Sequence, residues 1–187
     1  HLSGDILMYD PRDQEETLST NVIASRQVHR ADLHKLLAES LISEGSCLRL
    51  DHRLQKITQD TSQVKLSFTN GNIDYCDIVI GADGLKSAVR ELLYSSEPAN
   101  FTGFVAWRGL VDRSLVKDIS LDPHFATYSS SDKLFVRYPV RNGALLNYVA
   151  IARKDDFLSE SWAEPAEVSE VAAQFSDWHK DVSDIIL

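Results

Sequence analysis

Leu33, Leu36, Leu37 and Leu41 recur at i, i+3, i+4 and i+8, which places them on one face of a helix over residues 29–44. Asp32 falls in its first turn, where the helix dipole favours an anion, and Gly45 after Glu44 supplies a left-handed stop. The period then changes to two. Val64, Leu66 and Phe68 alternate with Lys65, Ser67 and Thr69, and Asn70-Gly71 is a strong hairpin signal, so residues 47–80 read as strands. Asp77-Ile78-Val79-Ile80 runs apolar into Gly81, the pattern of a strand buried on both faces. Val89, Leu92 and Leu93 predict a short helix over 86–94.

The texture changes at Pro98. Segments 101–112, 124–128, 133–140 and 143–152 read as strands joined by turns at 129–132 and 141–143, which implies antiparallel pairing. A last helix starts near Pro165, with Val168, Val171, Ala172 and Phe175 as its buried stripe. Residues 3–28 carry weaker signals, a turn at Asp10-Pro11-Arg12-Asp13 and a short strand at Asn21-Val22-Ile23-Ala24. The expected division is a domain over 1–97 and a second over 98–187.

Composition narrows the function classes. With 187 residues, 43% hydrophobic and 25% charged, the chain can bury a core, which excludes a disordered tail or a disulfide scaffold. Nineteen Lys and Arg against 28 Asp and Glu give a net charge of −9, which argues against nucleic-acid or anionic-membrane binding. No apolar run approaches the ~20 residues of a membrane span. Cys47 and Cys76 form no metal spacing, the six histidines form no ligand pattern, and no metal is expected. A reducing, cytoplasmic location is the reading these features favour, with one disulfide in an oxidising compartment as the alternative. Both ends, His1 and Asp184-Ile185-Ile186-Leu187, read as cuts through a larger protein.

The most informative stretch is Asp77-Ile78-Val79-Ile80-Gly81-Ala82-Asp83-Gly84-Leu85-Lys86-Ser87-Ala88-Val89-Arg90. It reads as strand, small-residue turn and helix. Gly81 and Gly84 allow close backbone approach, and the helix start offers free N–H groups to a polar ligand. Asp83 at such a turn can accept hydrogen bonds from a ribose or ribityl hydroxyl. The plainer alternative makes Asp83 or Ser87 a helix cap and Arg90 a surface cation.

The string resembles the DG motif of class A flavoprotein aromatic hydroxylases, D-x-x-I/V-G-A-D-G-x-x-S-x-x-R, matched at Asp77, Gly81, Ala82, Asp83, Gly84, Ser87 and Arg90. Arg30-Ala31-Asp32-Leu33-His34-Lys35-Leu36-Leu37 resembles the helix that precedes it in that family. Ala106-Trp107-Arg108-Gly109-Leu110-Val111, then Arg137-Tyr138-Pro139-Val140-Arg141-Asn142-Gly143, resemble the substrate-domain strands of salicylate-hydroxylase-like members. Two family features do not occur here, the G-x-G-x-x-G diphosphate cradle and the later G-D-x-A-H-type motif. The chain therefore looks like the central part of the family's fold.

The resemblance implies an α/β chain, α+β in this portion: part of a Rossmann-like FAD-binding domain, then a mostly antiparallel substrate domain of the p-hydroxybenzoate hydroxylase kind. It implies FAD as cofactor, NADH or NADPH as reductant, O₂ as co-substrate and a small aromatic substrate, with a homodimer possible for the full-length protein. It assigns FAD contacts to Arg30, Leu54, Asp83 and Gly84. Arg108 or Arg137 could hold a substrate carboxylate. Relatives often carry a histidine where this chain reads Asp132-Lys133-Leu134, which leaves Tyr138 as the nearest candidate for the catalytic base, against an ordinary role as a packed strand aromatic. The competing functions are a non-catalytic scaffold without flavin and a reductase of similar flavin fold.

Overall fold

The computed structural model describes residues 26–95, 97–155 and 165–187. The turn at 10–13 and the strand at 21–24 lie outside them. The chain falls into two compact units, one of residues 1–34 with 102–187 and one of residues 35–101.

Helix α1 spans Arg30–Ser43. Its C-terminus closes as the glycine predicts: Gly45 has φ +78°, its N–H donates to Ile42 O, and Ser46 N–H donates to Leu41 O. The leucine stripe is present, but Leu36 and Leu37 are 62% and 59% exposed.

In the unit of residues 35–101, β1 (Leu54–Gln59), β2 (Val64–Phe68) and β3 (Ile73–Cys76) form an antiparallel meander. The turn after β2 carries Asn70 and a left-handed Gly71, as their sequence predicts. A register shift between Leu54 and Lys56 makes Gln55 a bulge beside Leu54. Helix α2 (Ala88–Leu93) follows the glycine turn.

Residues 77–80 correct one expectation. They form no strand, and Ile78 and Ile80 are 78% and 86% exposed. A strand is buried on both faces only when neighbouring strands pair with it and helices cover it. Among the described residues no strand pairs with this one.

In the other unit, β4 (Phe104–Asp112), β5 (Ala126–Ser129), β6 (Lys133–Val140) and β7 (Leu145–Arg153) form an antiparallel sheet of order β4-β7-β6-β5. These bounds follow the two-residue periodicity closely. Helix α3 (Val168–Gln174) buries Val171, with Phe175 at its C-cap, but it starts later than Pro165 and Val168 of the expected stripe is 50% exposed; the structure adds a further helix, α4 (Lys180–Ile186). Both helices join the core formed on one sheet face. Phe135, Leu146, Ala150, Phe175 and Val182 are fully buried there, and Phe135 meets Phe175 edge-on with centroids 5.9 Å apart. Burying each large apolar side chain contributes roughly 1.5–3 kcal/mol, so this layer dominates the unit's stability.

Candidate functional site

The candidate residues form two sets, one in each unit. The first is the Gly81–Arg90 turn. Asp83 Oδ1 accepts from Ser87 Oγ at 2.5 Å, and Oδ2 accepts from Val89 N–H at 3.1 Å. These bonds, with Ser87 the larger cause, hold the Asp83 carboxyl below the usual carboxylate range. Ser87 is also the N-cap of α2, its Oγ accepting from Arg90 N–H at 3.0 Å. Arg90 Nη2 donates to Leu85 O, which closes the turn. Gly81 is required by packing, because a Cβ there would lie 2.9 Å from Val89 Cγ1. Gly84 is required by its backbone, at φ +78°. Asp83 and Gly84 are both exposed, so the turn presents a fixed carboxylate beside open backbone. The capping alternative is thus realised in Ser87. Asp83 supports the same helix start and still has lone pairs to offer, since an ionised carboxylate accepts about four hydrogen bonds.

Leu54, in this same unit, opens β1 opposite Phe68 beside the Gln55 bulge and is half-buried.

The second set lies on the sheet of the other unit. Register decides which side chains share a face. Tyr138 pairs with Asn147, Arg108 with Val149 and Thr127 with Val136, so these six residues project on the face opposite α3 and α4. Arg108 is exposed, while Tyr138 and Asn147 are half-buried. Tyr138 stacks on Phe125, with centroids 5.9 Å apart and rings 12° from parallel. Asn147 pairs directly with Leu110, two residues from Arg108. Cross-strand diagonals of this kind place Cβ atoms within reach of long side chains, so Arg108, Asn147 and Tyr138 form one polar row. Sequence patterning does not single out Asn147, although its place opposite Tyr138 follows once the register is known.

Arg137 faces the other way. It pairs with Tyr148, is 2% exposed, and its Nη1 donates to Pro123 O at 2.9 Å. Nearby, Tyr128 Oη donates to Asp181 Oδ2 at 3.2 Å, and burial pushes the Tyr128 hydroxyl up. Buried within this layer, Arg137 is not presented to a substrate carboxylate. Arg108 lies on the opposite face, which by register it shares with Arg153 at the end of β7.

Arg30, in the unit that holds this sheet, is the first residue of α1 and is exposed. Two residues on, Asp32 takes both prongs of Arg141, from Nε at 2.8 Å and Nη2 at 2.7 Å. Those bonds hold the Asp32 carboxyl below its ordinary range and raise the Arg141 guanidinium.

Among the described residues no group of three His, Cys, Asp or Glu could hold a metal ion, and no helix is long and apolar enough to cross a membrane.

Residues 4–183 match the model of the FAD binding domain family. The chain belongs to this family. The 6-hydroxynicotinate 3-monooxygenase of Bordetella bronchiseptica is 30% identical over 161 residues, covering 85% of this chain and 41% of that protein. Salicylate hydroxylase of Pseudomonas putida is 30% identical over 175 residues, covering 83% and 40%. A solved salicylate hydroxylase substrate complex superposes with TM-score 0.65 at 27% identity, covering 84% of this chain and 43% of that one. Klebsiella pneumoniae HpxO, solved with FAD and uric acid, shares the fold with TM-score 0.69 at 22% identity, covering 85% and 39%. This FAD binding domain chain therefore has the fold of the class A flavin hydroxylases, as the Asp77–Arg90 string implies. It spans about two fifths of these relatives, between 39% and 43% of their length.

Proposed function

We propose that the protein carrying this chain is an FAD-dependent monooxygenase that hydroxylates a small aromatic substrate, with NADH or NADPH as reductant and O₂ as oxygen source. In this reading residues 1–97 belong to the FAD-binding domain and 98–187 to the substrate-binding domain.

The observation that carries the reading is the Asp83 turn. A carboxylate fixed by Ser87 and Val89, exposed beside a left-handed glycine, suits the hydroxyls of a ribityl chain. The resemblance assigns two further contacts, one in each unit. Arg30 is an exposed guanidinium, and its fork matches diphosphate oxygens. The Leu54 backbone, at an interrupted ladder, suits an adenine edge. When bound, the flavin supplies electron transfer and oxygen activation, and the protein supplies orientation and desolvation.

The substrate side of the reading is the polar row on the open sheet face. Arg108 would pair with a ring carboxylate, Asn147 would accept or donate at a ring substituent, and Tyr138 would exchange a phenolic proton. The relatives named for salicylate and 6-hydroxynicotinate carry substrates of this general kind in their names.

The test is to purify the full-length protein, titrate FAD, and follow NAD(P)H oxidation with hydroxylated benzoates and hydroxypyridine carboxylates. The expected result is stoichiometric FAD and aromatic-stimulated NAD(P)H use with a hydroxylated product. Absence of FAD binding would favour a scaffold. FAD reduction without oxygen insertion would favour a reductase.

A further inference from the structure

We propose that Arg141 and Asp32 form a clamp that positions Arg30 for its cofactor contact; this rests on the flavin reading of Arg30.

The two clamp residues are 109 positions apart in sequence, and Arg141 places one nitrogen on each carboxylate oxygen, at 2.8 and 2.7 Å. A two-pronged guanidinium–carboxylate pair fixes direction as well as distance. His29 adds a weaker approach, its Nδ1 3.6 Å from Asp32 Oδ1.

Arg141 occupies a position where arginine has no local advantage. It opens a run of three left-handed residues, Arg141, Asn142 and Gly143, with φ of 52°, 55° and 82°, in the turn joining β6 to β7. Such turns favour Asn, Asp and Gly at these positions, and a long side chain at positive φ is uncommon. The contact Arg141 gains there is Asp32.

Helix geometry explains how the clamp acts on Arg30. Successive helical residues rotate by about 100°, so residues two apart project about 200° apart. By that rotation Arg30 lies on the side of the first turn opposite the gripped Asp32. The pair is exposed on both sides, with side-chain exposures of 49% and 43%, and exposed pairs add little stability. Its contribution is therefore to the aim of the first turn. The same hairpin carries Tyr138, three residues before Arg141, so one β6–β7 unit supports both the polar row and the start of α1.

The test uses the full-length protein and two readouts, FAD affinity by flavin-fluorescence quenching and thermal melting of the apoprotein. Arg141→Gln should weaken FAD binding by about tenfold, the scale seen when an outer partner of a ligating group is lost. Asp32→Asn, which leaves the turn residue intact, should show the same loss, and the double variant no more than either single one. Arg141→Lys keeps the charge but not the fork and should recover only part of the affinity. Apoprotein melting should move by less than about 3 °C. Arg141→Gln should add nothing in an Arg30→Ala background. If Arg30→Ala weakens FAD binding but Arg141→Gln does not, the clamp is overturned and the flavin reading of Arg30 stands. If Arg141→Gln costs as much without Arg30 as with it, the clamp is again overturned. If Arg30→Ala has no effect, both fall together.

Discussion

Gly109 of β4 lies directly against the ring of Tyr148, its partner in β7: a Cβ on Gly109 would sit 2.1 Å from Tyr148 Cε1. Tyr148 is buried and stacks on Phe135, with centroids 5.4 Å apart, so the ring has nowhere to retreat. Gly109→Ala should destabilise the protein by about 1–3 kcal/mol, the cost of overpacking a filled core. Chemical denaturation of the two proteins checks this, and an unchanged midpoint would contradict it.

Asp83 and Ser87 should separate cofactor binding from helix capping. Ser87→Ala removes the N-cap acceptor of α2 and should cost about 1 kcal/mol of stability. It should also loosen FAD binding, since it frees one Asp83 oxygen. Asp83→Ala should weaken FAD binding more, by about 5- to 100-fold, through loss of hydrogen bonds to a hydroxylated ligand. FAD titration of both variants is the measurement. Asp83→Ala with wild-type affinity would remove the residue from the flavin site.

Arg108 and Arg137, on opposite faces of the β4–β7 sheet, should behave oppositely. Arg137→Ala opens a cavity in the packed layer and orphans Pro123 O, so a loss of about 2–4 kcal/mol is expected. Arg108→Ala should move melting by less than about 2 °C while raising KM for carboxylated aromatics. Melting curves and KM for both variants decide the assignment, and a stable Arg137→Ala protein would contradict the placement.

Acid should release the Asp32 clamp. Its folded carboxyl titrates below the ordinary value, chiefly through the Arg141 bond. A depressed carboxyl contributes stability above its unfolded pKa and loses it as pH falls through the folded one. The melting difference between wild type and Asp32→Asn should hold from about pH 7 to 5 and shrink below about pH 4. A difference that grows on acidification would contradict the assignment.

Much of the fold is legible in the sequence because short-range patterns and long-range packing agree. The leucine spacing and Gly45 mark α1, and apolar segments bounded by turn residues mark β4 through β7 to within a few residues. Residues 77–80 fail because an apolar run reports only what could be buried, and no neighbouring strand among those described covers Ile78 and Ile80. Helix α4 carries a readable signal in Val182, Ile185 and Ile186 at i, i+3 and i+4, which the expected elements omit. In the candidate site, the glycine turn entering α2 is legible from residue types, while its flavin role rests on the resemblance of the whole Asp77–Arg90 string. The opposite faces of Arg108 and Arg137 are not, because Leu134-Phe135-Val136 is apolar at every position and alternation cannot orient β6. Asn147 and the Arg141–Asp32 clamp depend on register and on a 109-residue separation, which no local pattern records.

The central claim is that the protein carrying this chain inserts oxygen into a small aromatic ring with FAD as its cofactor. The most direct measurement is turnover of the FAD-loaded full-length protein with NAD(P)H, a hydroxylated aromatic acid and isotopically labelled O₂, followed by mass analysis of the product. The account predicts one labelled oxygen atom in the ring product, with the yield depending on FAD and reduced by Asp83→Ala. Consumption of NAD(P)H by the FAD-loaded protein with no labelled product from any such aromatic would contradict it.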